Sequence, residues 1–231
     1  MRPDGVLFDA AGTLFDLTPP IHDVIASAAA CQGHPCSPAR LERALDDVGS
    51  TLGWPDDASD SAGRTRAWTV FVRQIIDEAH VTASEAALRT IAETAAATIL
   101  EPANYRVFPD VTPLIERLSA ADIRIGIVSN FDDLLFEILD HTRLSTLFDT
   151  VLTSYRTGIS KPEPRIFHLA AQAIGTAPEA THYIGDSVYS DMGGAHAAGL
   201  RGILIDRDGK HPTYSGEKIV SLMDLQLDLD H

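Results

Sequence analysis

Four places in this 231-residue sequence set reactive side chains directly after short apolar runs. Asp9 closes Gly5 to Phe8, and Ser129-Asn130 closes Ile123 to Val128. Lys161 stands in the loop beyond a run near Phe148 to Thr153, while Gly185-Asp186-Ser187 follows Tyr183-Ile184, with Asp191 further on. Carboxylates attack electrophiles or hold hard cations, and a hydroxyl and an ammonium steady negative charge. Each place also has a plain structural reading. Asp9 suits a turn, Ser129 and Asn130 suit the cap of a helix starting near Asp132, Lys161 before Pro162 suits a solvated loop, and Gly185-Asp186-Ser187 suits another cap with Asp191 on the surface. Their joint placement at four successive strand ends, where open α/β sheets bind ligands, favours one shared site.

The elements that must position these residues are legible in the apolar spacing. Beyond Pro109 the chain alternates helix and strand. Val111, Leu114, Ile115 and Leu118 mark a helix, Ile123 to Val128 a strand, and Leu134, Leu135, Ile138 and Leu139 a second helix. A strand near Phe148 to Thr153, a helix from Pro164 to Ile174, a strand at Tyr183-Ile184, a helix to Ala198 and a strand at Gly202 to Ile205 complete the series. Ile219-Val220 and Leu222 with Leu225 add a short strand and a turn of helix. Such alternation predicts an α/β fold, a Rossmann-like parallel sheet sandwiched by helices. Between about residues 20 and 101 no strand pattern occurs. Trp68, Phe71, Val72, Ile75, Ile76 and Ala79 paint one helix face, and Leu41, Ala44, Leu45, Val48 and Leu52 repeat it, as do Leu88, Ile91, Ala95 and Ile99. The spacing predicts an α/β core from residues 1–16 and 107–231 with a helical domain inserted at 17–106.

Composition bounds the function. Apolar residues make up 45% and charged residues 22%, which fits a packed soluble protein and not a disordered one. Acidic side chains number 33 against 18 basic, a net charge of -15, so nucleic acid and anionic membranes are poor partners. Cys31 and Cys36 make neither a disulfide framework nor a zinc site, and no apolar run reaches the roughly 18 residues of a membrane span. A cytoplasmic location is expected. The only lysines are Lys161, Lys210 and Lys218, so no lysine chemistry is available in the first 160 residues.

Together, Phe8-Asp9-Ala10-Ala11-Gly12-Thr13-Leu14, Val128-Ser129-Asn130, Lys161-Pro162 and Ile184-Gly185-Asp186-Ser187 to Asp191 resemble the four motifs of the haloacid dehalogenase superfamily. The resemblance covers nearly the whole chain, and one branch of that superfamily carries a helical cap domain where residues 17–106 lie. It implies a phosphatase-type hydrolase in which Asp9 attacks phosphorus to form an aspartyl phosphate. It implies Mg²⁺ held by Asp9, the backbone carbonyl of Ala11, Asp186 and Asp191. Ser129, Asn130 and backbone donors of Gly12 and Thr13 would bind the phosphoryl oxygens, and Lys161 would neutralise the transferring group. The implied substrate is a small phosphorylated metabolite, and the implied assembly a monomer or homodimer.

Ala11 departs from the family pattern. Phosphatases of the superfamily carry there the aspartate that protonates the leaving group and then activates water. A methyl group does neither, so activity should be slow or narrow, favouring leaving groups stable as anions. Phosphonatases share the alanine but need a cap lysine, which this insertion lacks. Haloacid dehalogenases have a similar first motif yet lack the metal-binding acid supplied here by Asp186. A catalytically weak phosphometabolite- or partner-binding protein is the alternative, and a 2-haloacid dehalogenase is a further, less favoured one. Asp16, His22 and Asp23 follow the nucleophile and are candidate replacements for the missing acid, although the first turn of a helix behind Pro19-Pro20 accounts for the last two. Arg40, Arg43, Arg64, Arg66 and Arg73 offer guanidinium groups for a second anionic group, and Trp54 offers a pocket wall.

Overall fold

The computed structural model describes residues 2–55 and 60–226. The chain separates into two compact units: Leu17–Tyr105, and the flanking segments up to Asp16 and from Arg106. In chain order, β1 (Gly5–Phe8) and β2 (Phe15–Leu17) lead into the helical unit, with α1 (Ile21–Cys31), α2 (Pro38–Leu52), α3 (Ser61–Glu78) and α4 (Glu85–Ile99). β3 (Tyr105–Val107) then pairs with β2 as a two-stranded sheet. Sequence periodicity gives no sign of this ribbon, because three-residue strands are too short to show alternation.

Each helix of the helical unit packs on two others, so the apolar stripes close a small bundle. Capping explains where the helices start. Asp60 accepts from Gly63 N–H at 2.6 Å and Ser84 from Ala87 N–H at 3.2 Å, while Pro38 occupies the first turn of α2. Leu41, Ala44 and Val48 are buried as their spacing predicts, whereas Leu52, which continues the stripe, is exposed at the end of α2.

The α/β unit continues with α5 (Val111–Ala120), β4 (Arg124–Ser129), α6 (Leu134–His141), β5 (Thr150–Thr153), α7 (Ser154–Thr157), α8 (Pro164–Ala173), β6 (Thr181–Gly185), α9 (Gly194–Ala197), β7 (Arg201–Ile205) and β8 (Lys218–Ile219). The short helix α7 has no counterpart in the sequence reading. Six strands form one parallel sheet in the order β5-β4-β1-β6-β7-β8. β1, β4, β6 and β7 are buried almost throughout because both sheet faces are covered. The chain steps outward from β1 to β4 and β5, then crosses back to β6 on the other side of β1. That reversal makes the carboxyl end of β1 the place where connections diverge and a crevice opens. On one face, Leu7, Val128, Ile166, Phe167, Tyr183 and Leu204 join a continuous buried cluster.

Candidate active site

Asp9 is the first residue beyond β1, and its N–H donates to Ile184 O at 2.8 Å, fixing it beside β6. The chain then turns tightly. Leu14 N–H donates to Ala10 O at 2.8 Å and Gly12 N–H to Phe15 O at 2.9 Å. Gly12 adopts φ +76°, and a Cβ there would run into the Asp186 carboxylate, so only glycine satisfies both backbone and neighbour. Gly185 makes the corresponding space on β6, since a Cβ would stand 2.5 Å from the Asp191 carboxyl carbon. Two glycines thus hold room for two acids. The N–H groups of Gly12 and Thr13, expected to face a ligand, are spent inside the turn, the latter on Ala10 O at 3.3 Å. Ala11 is half-buried at the same turn.

Lys161 is the centre of the constellation. Its ammonium donates to Asp9 Oδ1 at 2.7 Å, Asp191 Oδ1 at 2.6 Å and the Tyr183 hydroxyl at 3.0 Å, which uses all three of its protons. The Asn130 side chain fixes Lys161 from the backbone, accepting from its N–H at 2.7 Å and donating to its carbonyl at 3.0 Å. Asn130 therefore acts on Lys161 in this structure. Ser129 is buried at the carboxyl end of β4, and the Lys161-Pro162 peptide is cis. Asp191 is fully buried, and its Oδ2 accepts from Ser187 N–H at 2.9 Å. A wide π-type turn at Val188–Gly193 carries it inward.

Carboxylate oxygens of Asp9, Asp186 and Asp191 lie within 4.8 Å of one another. Burial and the charges of Asp9 and Asp191 push the Asp186 pKa up to about 8. Burial also raises Asp9, against the pull of Lys161 and with the push of Asp191. Burial alone would lower Lys161, yet Asp191 and Asp9 outweigh it and hold the ammonium above its ordinary pKa. Three carboxylates facing one ammonium leave two negative charges in excess, and Asp9 and Asp186 accordingly hold a proton more tightly than a free carboxyl does. A divalent cation with oxygen-ligand preference would bring the sum to zero. The donor set thus fits Mg²⁺ through Asp9, Asp186 and Asp191.

Tyr183 escaped the sequence reading. Its buried hydroxyl accepts from Lys161 and has a single proton for Val128 O at 3.0 Å or Asp191 Oδ1 at 3.1 Å. Burial, then Asp191 and Asp9, raise its pKa, so it stays a neutral phenol. The available signal was strand alternation: Tyr183 and Gly185 share a face of β6, and a tyrosine on a central strand needs a partner for its hydroxyl. Of the candidate acid replacements, His22 and Asp23 lie 3.8 Å apart at the start of α1, in the helical unit, and Asp16 is exposed on β2. Arg73 is committed to Asp77 and Glu85 within the helical unit, and Arg64 is buried. Trp54 is 52% exposed, with its ring 5.5 Å from that of Phe71.

Residues 3–199 match the sequence family of haloacid dehalogenase-like hydrolases. The chain is 29% identical over 217 residues to haloacid dehalogenase-like hydrolase domain-containing protein 3 of Danio rerio, covering 90% of this chain and 87% of that protein. It is 33% identical over 138 residues to the Bos taurus protein of that name, covering 60% of this chain and 55% of the other. It is also 34% identical over 116 residues to a phosphoserine phosphatase of Thermus thermophilus, spanning 50% of this chain and 47% of that enzyme. Among solved structures, the magnesium-bound HAD-hydrolase YfnB of Bacillus subtilis superposes with a TM-score of 0.72 at 20% identity, covering 97% of each chain. That last likeness is one of fold.

Proposed function

This chain belongs to the haloacid dehalogenase-like hydrolases, matched over residues 3–199, and from that premise we propose that it is a Mg²⁺-dependent phosphohydrolase with Asp9 as nucleophile. The single observation carrying the proposal is the convergence of Asp9, Asp186 and Asp191 within 4.8 Å around the Lys161 ammonium. In this reading the α/β unit does the chemistry, and the helical unit is the cap that selects a small phosphorylated metabolite.

Lys161 holds Asp9 Oδ1 and leaves Oδ2 to attack phosphorus. The bond to the leaving oxygen breaks as the Asp9 Oδ2–P bond forms, giving an aspartyl phosphate that water later hydrolyses. Asp9, Asp186, Asp191 and the Ala11 carbonyl would hold Mg²⁺, which would supply the positive charge needed for a carboxylate to approach a phosphoryl group. Ser129 donates its hydroxyl to a phosphoryl oxygen at the mouth of β4, and Asn130 keeps Lys161 in place. No acid stands at position 11 to protonate the departing oxygen. Aryl and acyl phosphates are therefore the substrates of choice, and alkyl esters turn over slowly.

A phosphate-ester panel on wild type, Asp9→Asn and Ala11→Asp tests the reading. Asp9→Asn is expected to abolish turnover, and Ala11→Asp to raise alkyl-ester hydrolysis by about 10²-fold. Turnover indifferent to Asp9→Asn removes the proposal. Ala11 also favours a second reading, a protein that binds a phosphometabolite without turning it over. Mass spectrometry after incubation with acetyl phosphate and Mg²⁺ separates the two: a phosphorylated Asp9 marks the enzyme, and unmodified protein marks the binder.

A further inference from the structure

We propose that Arg207 is a positioning residue for the nucleophile turn, holding it through the Thr13 carbonyl from a mount built by Asp110, Phe108 and the last part of the chain. Arg207 lies two residues beyond β7, and its Nη2 donates to Thr13 O at 2.8 Å, across 194 residues of sequence. The same guanidinium grips Asp110 through both oxygens, Nη1 to Oδ2 at 2.8 Å and Nη2 to Oδ1 at 3.0 Å. Asp110 is in turn fixed by Ser221 Oγ at 2.8 Å and Leu222 N–H at 2.8 Å, and the Phe108 ring lies 3.9 Å under the guanidinium carbon. Burial would raise the Asp110 pKa, but Arg207, Ser221 and Leu222 outweigh it and keep the carboxyl below its ordinary value. The Asp110 carboxylate is therefore charged at neutral pH.

The turn it holds needs an outside anchor. Between Ala10 and Phe15 three N–H groups converge on the single carbonyl of Ala10, two of them at 3.3 Å, a length at which hydrogen bonds are weak. The Thr13 hydroxyl is buried without a hydrogen-bond partner among the described residues. Thr13 O and Leu14 O tie the turn to the rest of the α/β unit, through Arg207 and through Phe108 N–H at 3.0 Å. Asp9 lies four residues before Thr13 and the carbonyl of Ala11 two before. A shift of the turn thus moves the attacking oxygen directly. Ser221 shares the mount but does not touch the turn, which makes it the control.

The kinetic part of this inference rests on the proposed role of Asp9; the structural part does not. Arg207→Lys, Arg207→Met and Ser221→Ala in the full chain with Mg²⁺ are compared by turnover of aryl phosphate, by Tm and by hydrogen exchange of the peptide spanning Asp9 to Phe15. Both Arg207 variants are expected to lose about tenfold or more in kcat with little change in KM, and to speed exchange in that peptide. Ser221→Ala is expected to lower Tm while leaving both readouts at wild-type values. Arg207→Lys with unchanged kcat and exchange overturns the proposal, as does Ser221→Ala with an equal loss of kcat at matched Tm. Should Arg207→Met not fold, Arg207→Lys decides. Should wild type show no Asp9-dependent turnover, the phosphohydrolase reading fails, and the exchange comparison alone decides for or against the anchor.

Discussion

Lys161 offsets one of the negative charges of the site with an ammonium whose side chain is only 3% exposed. Its removal leaves Asp9 and Asp191 facing each other without compensation. Lys161→Met is expected to cost about 3–5 kcal/mol in metal-free protein, because breaking a buried ion pair strands the partner charge. Urea unfolding with and without Mg²⁺ measures it, and a variant as stable as wild type in metal-free buffer contradicts this account. Tyr183→Phe tests the third ligand of the ammonium. One N–H loses its acceptor and one carbonyl or carboxylate its donor, so stability should fall by about 1–3 kcal/mol, read from the same unfolding curves. These residues act as a set, and single substitutions are not expected to add.

At the scale of elements, β6 serves two environments at once. Tyr183 and Gly185 face the acids, while His182 is buried on the opposite face of the strand, near Arg201 and Glu217. Burial first, and then the nearby Arg201, push the His182 pKa down to about 4. The folded protein therefore keeps His182 neutral while the unfolded chain takes up a proton below its ordinary pKa of 6.5. This contribution to stability is present above pH 6.5 and is lost as pH falls towards about 4. His182→Asn should flatten the fall of Tm over that window relative to wild type. The Asp9 turn depends on backbone space in the same way that β6 depends on burial. Gly12→Ala forces a Cβ into the Asp186 carboxylate at φ +76°, so isothermal titration should show Mg²⁺ affinity lost by more than about tenfold with the far-UV spectrum unchanged.

For the molecule as a whole, a net charge of -15 opposes the approach of any phosphorylated substrate. The local site must overcome that field, so added salt should raise kcat/KM at low ionic strength by screening the repulsion. A fall in kcat/KM between 10 and 100 mM salt would point to a cationic approach path instead. The excess of acids also ties Mg²⁺ to pH. With the Asp186 pKa raised to about 8, metal must displace a proton below that value and not above it. The gain in Tm on adding Mg²⁺ is therefore expected to be larger at pH 8 than at pH 6, by differential scanning fluorimetry, and equal gains would show that Asp186 is not among the ligands.

Much of this architecture was readable from one dimension because it rests on local rules. Apolar spacing at Trp68 to Ala79 and at Leu134 to Leu139 marks helices, since a helix must bury one face whatever it meets. Apolar runs ending at Asp9 and Ser129, and the shorter Tyr183-Ile184 before Gly185, mark doubly covered parallel strands, and parallel strands place their carboxyl ends together. The convergence of Asp9, Asp186 and Asp191 on one spot was therefore implicit in the order of residues, as was the lack of an acid at position 11. Tertiary structure alone decided what each group touches. Asn130 bonding to the backbone of Lys161, Tyr183 accepting its third proton, and Arg207 reaching Thr13 all join residues separated by 22 to 194 positions. No periodicity encodes such pairings, because they follow from the register of strands and the packing of loops across them.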